Sequence, residues 1–217
     1  MRTNDSGGAA GWGAGLMLMS VACVIGGCGV VSSDRLVTRS TGTNTALMPT
    51  VRAVVYRATD RSTADIYLTD LPANAPEADW TTLEGTLVHL HVFIRPRAGR
   101  TPIADSACSF TLRQFVLAGG QVGVYGGGGF FLPKEAIGSE EMRVEFNGAT
   151  LRLNAATAGF QDLLGPSTMD ASWTATRDDA AAAGWARLAG RLMEEAARGG
   201  GASVGPAAGS DAGGGGR

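Results

Sequence analysis

Residues 108–133 read C-S-F-T-L-R-Q-F-V-L-A-G-G-Q-V-G-V-Y-G-G-G-G-F-F-L-P, and the reading of this stretch decides the fold. Two apolar, β-prone runs flank Gly119-Gly120, a dipeptide that turns a hairpin because glycine reaches positive φ without a steric penalty. A two-residue turn fixes the pairing: Leu117 opposite Val122, Phe115 opposite Val124, Val116 opposite Gly123, and Gln114 opposite Tyr125. Phe115, Leu117, Val122 and Val124 then share one face. Gln114, Val116 and Tyr125 take the other, joined by Phe110 and Leu112 unless a bulge near Arg113 reverses the phase. Apolar area on both faces predicts a central pair of strands, covered on each side. Gly126–Gly129 read as the bend or bulge that lets those strands curve.

Upstream, residues 51–58 (V-R-A-V-V-Y-R-A), 64–71 (A-D-I-Y-L-T-D-L) and 83–95 (L-E-G-T-L-V-H-L-H-V-F-I-R) are strand candidates. In the second, Ile66 and Leu68 alternate with Asp65, Tyr67 and Thr69. In the third, Val88, Leu90, Val92 and Ile94 share one face, while His89, His91, Phe93 and Arg95 share the other. Downstream, residues 141–146 and 149–154 flank Asn147-Gly148, the dipeptide best suited to a type I′ turn. The spacing predicts a second hairpin with Val144 facing Leu151 and Met142 facing Leu153. Residues 158–164 are expected to make one helical turn, and residues 170–176, carrying Trp173, a last strand. Asp178-Asp179 stand at the head of an alanine-rich helix over 180–197, whose apolar stripe is Ala181, Trp185, Leu188 and Leu192.

The expected fold is therefore mainly β: about eight short antiparallel strands as a sandwich or strongly curved sheet, with one C-terminal amphipathic helix. The expected organisation is a signal peptide at 1–27, a lipid-bearing cysteine and flexible spacer at 28–48, a β-rich domain with its helix at 49–198, and a disordered glycine-rich tail at 199–217.

Residues 15–27 form an apolar run of 13, long enough for the core of a signal peptide and too short to span a bilayer. At its end, Ile25-Gly26-Gly27-Cys28 resembles the lipobox of bacterial lipoproteins: an aliphatic residue, two small ones, then cysteine. The resemblance implies cleavage after Gly27, diacylglycerol modification of Cys28, and residence in the cell envelope. In that class an aspartate after the cysteine favours inner-membrane retention; Gly29 stands there, so the outer membrane is favoured. The resemblance is silent on the globular domain.

Lys+Arg 18 against Asp+Glu 20, net charge -2, argues against a nucleic-acid partner. No G-x-S-x-G, H-E-x-x-H or C-x-x-C occurs, and no cofactor is expected beyond lipid on Cys28. His89 and His91 are the only histidines, and i, i+2 positions on a strand face can supply two metal ligands. Asp65, Glu84, Asp105 or Cys108 would have to complete a metal carrier or metal-dependent hydrolase; the plainer reading is a solvent-facing strand with two imidazoles. Cys108, the cysteine remaining once Cys28 is acylated, reads as a small buried residue rather than a nucleophile. Arg95, Arg97 and Arg100 form a basic turn that could bind an anion. Gly126–Gly129 could also open a mouth for a lipophilic ligand. The expected role is a non-catalytic binding or structural module, attached to the membrane and facing an envelope protein, glycan or lipid.

Overall fold

A computed structural model describes residues 34–93, 108–131 and 133–200. The signal segment, Cys28, the Arg95, Arg97 and Arg100 turn, and the chain beyond residue 200 lie outside the described residues. The strands are β1 (Arg35–Ser40), β2 (Ala46–Leu47), β3 (Ala53–Ala58), β4 (Thr63–Thr69), β5 (Gly85–Phe93), β6 (Phe110–Ala118), β7 (Gln121–Gly129), β8 (Glu141–Ala156) and β9 (Ser167–Arg177). The helix α1 spans Asp179–Gly200. Among the described residues all nine strands belong to one sheet, in the order β2-β1-β9-β3-β4-β5-β6-β7-β8. A further β8–β9 ladder closes the seven strands from β9 round to β8 into a ring. Pairing is antiparallel throughout, except that β3 meets β9 in parallel over Val55↔Thr176 and Tyr56↔Arg177.

The β6–β7 hairpin has the register expected from Gly119-Gly120, with Leu117↔Val122, Phe115↔Val124, Val116↔Gly123 and Gln114↔Tyr125. No bulge interrupts it. Phe110, Leu112 and Tyr125 therefore enter the ring interior with Ile66, Leu68, Val88, Leu90, Met142 and Val144. Phe115, Leu117, Val122 and Val124 enter a second core outside the ring, against Ala182, Trp185, Leu188, Leu192 and Ala196 of α1. One hairpin thus belongs to both cores. The helix is capped by Asp178, whose Oδ1 accepts the Ala181 N–H at 2.9 Å. Its buried stripe runs through Ala182; Ala181 is only half-buried.

Gly126–Gly129 are neither a bend nor a loop: they are strand residues of β7, paired to β6 along the whole run and to β8 as far as Gly128. What demands glycine there is close approach. A Cβ on Gly127 would collide with the Thr150 carbonyl, and one on Gly129 would lie 2.8 Å from the Phe110 ring and 2.9 Å from Ala149. Phe110 fills that space, packing against Phe131 and Phe146 at ring separations of 5.5 and 4.8 Å.

Asn147-Gly148 does not turn a hairpin. Residues 141–156 run as one strand, β8, whose first part pairs with β9 and whose later part pairs with β7. At the dipeptide two residues oppose the single Asp170, making a bulge, and Asp170 Oδ1 accepts the Gly148 N–H at 2.9 Å. Gly148 has φ +68°, a conformation that serves a turn and a bulge alike. Residues 158–164 form no helical turn; the Asp162 carboxylate organises them by accepting the N–H groups of Leu164 and Gly165 and the Tyr125 hydroxyl.

The stretch read as spacer is corrected as well. Arg35–Ser40 pairs with β9 over six residues, and Leu36, Val37 and Thr38 are buried. Three buried residues amid polar ones leave little hydrophobic pattern, so β1 is set by its partner rather than by its own sequence.

Gly127→Ala is expected to cost about 3 kcal/mol or more in chemical denaturation, because the clash is with backbone. Gly190→Ala, exposed on α1 with nothing near the added carbon, should instead raise stability by about 1 kcal/mol.

Candidate functional site

On β4, Ala64, Ile66 and Leu68 face the ring interior, so strand alternation turns Asp65, Tyr67 and Thr69 to the outer face. The register sets Arg57 of β3 on one side of Asp65 and His91 of β5 on the other, with His89 diagonal, opposite Tyr67. The side chains converge on one carboxylate. Asp65 Oδ1 lies 3.0 Å from His89 Nε2 and 2.9 Å from His91 Nδ1, while Oδ2 accepts from Arg57 Nε at 3.1 Å and its terminal nitrogen at 3.0 Å. Asp65 is 7% exposed. Burial pushes its pKa up, but the hydrogen bonds from His89, His91 and Arg57 outweigh it and hold the carboxyl well below the usual range.

An ionised carboxylate only accepts, so both imidazoles must donate to it. His89 therefore carries a proton on Nε2 and His91 on Nδ1. The Tyr67 ring stacks on His89 at 4.7 Å and 5°, fixing its plane. Burial, followed by the Asp65 charge, pushes the Tyr67 hydroxyl up to about 12. His91 is half-exposed, and its Nε2 is the ring nitrogen that Asp65 does not engage. Among the described residues no nucleophile hydrogen-bonds to it: the Cys108 thiol donates to the Phe110 carbonyl at 2.7 Å.

His89 and His91 do share a face and do meet Asp65, as the H-x-H spacing implies. The carboxylate, however, stands where an ion would sit, and the remaining nitrogens point away from it. Among the described residues no group of three or more His, Cys, Asp or Glu side chains could hold a metal ion. Glu84 is exposed ahead of β5, outside the cluster; Asp105 lies outside the described residues. Cys108 is exposed, not buried, because it precedes β6 instead of starting it. Arg57 is the member that reading for motifs misses. The signal for it was the β3–β4 hairpin register, which alone pairs Arg57 with Asp65.

The glycine run opens no mouth into the interior, since both its edges are paired and Phe110, Leu112, Phe131 and Phe146 pack inside. An apolar cleft of about 210 Å³ lies at the other end of the hairpin, among Leu47, Val116, Tyr125, Phe160, Leu163 and Leu164. It is smaller than the roughly 300–1,000 Å³ usual for ligand pockets. Among the described residues no helix is long and apolar enough to cross a membrane. Searches against protein-family models, curated proteins and solved structures find no match to this chain.

Asp65 makes stability depend on acid. Its folded pKa lies below the ordinary 3.8, so the unfolded chain takes up a proton first, and the stabilisation is lost as pH falls from about 4 toward the folded pKa. Asp65→Asn should remove that part of the slope; denaturation midpoints of the two proteins followed below pH 5 would converge.

Proposed function

We propose that this protein is a lipid-anchored lipoprotein of the bacterial cell envelope, outer membrane favoured over inner, whose ring of strands is a non-catalytic binding or structural module. The observation that carries the proposal is Ile25-Gly26-Gly27-Cys28 at the end of the apolar run. Two or three acyl chains on one cysteine give the stable attachment that a single chain does not. Supporting the non-catalytic half is the Asp65 cluster, where the carboxylate, both histidines and Arg57 are engaged with one another. That arrangement ties β3, β4 and β5 together on their outer face.

The early start of β1 changes what the anchor implies. Six residues separate Cys28 from Arg35, so the sheet begins at most about 25 Å from the lipid attachment point. The domain is held close to its membrane.

Cys28→Ala should move the protein from the membrane pellet to the soluble fraction in a high-salt wash, whereas Cys23→Ala should stay in the pellet. A Cys28→Ala protein still pelleting in high salt would overturn the anchor.

A further inference from the structure

The helix covers only part of the outer face. Beyond it the β6–β7–β8 surface carries two lateral rows of side chains: Arg113, Gly126 and Arg152 in one, Thr111, Gly128 and Thr150 in the other. Arg113, Arg152, Thr111 and Thr150 are exposed. With strands about 4.8 Å apart, the two arginines flank Gly126 at a backbone separation of about 10 Å, which long guanidinium side chains span easily. A Cβ on Gly126 would collide with the amide nitrogen of Asn154, so that exposed amide lies over the bare strand between them. Asn154 itself is the extra residue where β8 shifts register against Val124 and Tyr125. The bulge places it there.

The surface is therefore rich in donors: two guanidinium groups, an amide and two hydroxyls, with the half-exposed His91 beside Thr111. Most acidic side chains on adjoining elements are already engaged: Asp170 of β9 accepts the Gly148 N–H, and Glu141, which makes no ion pair among the described residues, stands at the far end of β8. Asp65 is taken by Arg57 and the histidines, Glu145 by Arg143, and Glu194 and Glu195 by Arg198. Among the described residues Arg113 and Arg152 make no ion pair. A local cationic surplus stands out on a chain whose net charge is -2.

We propose that this face docks on the phosphate headgroups of anionic lipids, with Arg113 and Arg152 closing on a headgroup phosphate over Gly126 and the Asn154 amide. Guanidinium groups suit phosphate because their planar donors bind two oxygens at once. The lipid source follows from the short tether, and in this the proposal rests on the anchored reading: a domain whose first strand begins at most about 25 Å from its lipid attachment point meets headgroups at high effective concentration.

The test uses the mature chain from residue 28 carrying Cys28→Ala, so that neither the lipid nor the apolar segment at 15–27 contributes, and phosphatidylglycerol-containing vesicles against pure phosphatidylcholine vesicles. The protein should co-sediment with the anionic vesicles only, and less so as salt rises. Arg113→Gln and Arg152→Gln should each weaken binding about fivefold, while Arg187→Gln on the exposed face of α1 should not. Equal binding to both vesicles, no binding, or an Arg187→Gln loss as large as the others would overturn the proposal. So would release from the vesicles by a phosphorylated glycan more readily than by glycerol phosphate, which would make the partner a glycan. Each of these outcomes leaves the Cys28 fractionation result unaffected.

Discussion

A sheet with apolar residues on both faces must bury both, and here that demand is concentrated in β6 and β7. Phe110, Leu112 and Tyr125 can be buried only if the sheet curls on itself; Phe115, Leu117, Val122 and Val124 only if something covers the outside. Ring closure through β8 and β9 answers the first requirement and α1 the second. The glycines of β7 are what make the curl possible, since side chains at Gly127 and Gly129 would hold β8 and Phe110 away. Neither core could form without the other half of the same hairpin.

The outer face then divides. Where α1 lies, it is apolar. Elsewhere it carries charge, and the deepest charge, Asp65, is surrounded by three donors because a buried carboxylate without partners is costly. A cluster so completed orders three strands and leaves only the outer edges of His91 and Arg57 open to solvent. Farther across, Arg113 and Arg152 have no such partners among the described residues and stand on either side of the glycine stretch of β7, which has no side chains. Two groups of polar residues on one face thus differ in kind: one is closed on itself, the other is open.

Much of this was legible from residue order. The β6–β7 register followed from Gly119-Gly120 because turn and hydrophobic pattern agree, and the mainly β class and the C-terminal helix followed from periodicity. Asn147-Gly148 misled because positive φ at Gly148 suits a bulge as well as a turn, and the pairing partners of each half of β8 are distant in sequence. β1 was hidden for a related reason: its six residues have weak pattern and borrow their order from β9. The H-x-H spacing located His89 and His91 correctly but not what they meet, since Asp65 and Arg57 arrive through strand pairing. Glycine repeats likewise look flexible in one dimension; in three, those of β7 lie where the chain is most crowded.

β6 and β7 form the shared centre of two cores, and the rest of the fold depends on them. Native-state hydrogen exchange tests this dependence directly, since amides locked between two cores open only with the whole fold. The backbone amides of residues 112–117 and 122–125 should exchange last, at the rate of global unfolding, with β1, β2 and the C-terminal turns of α1 exchanging earlier. Protection greatest in β8 and β9, with β6 and β7 exchanging through a lower-energy local opening, would contradict it.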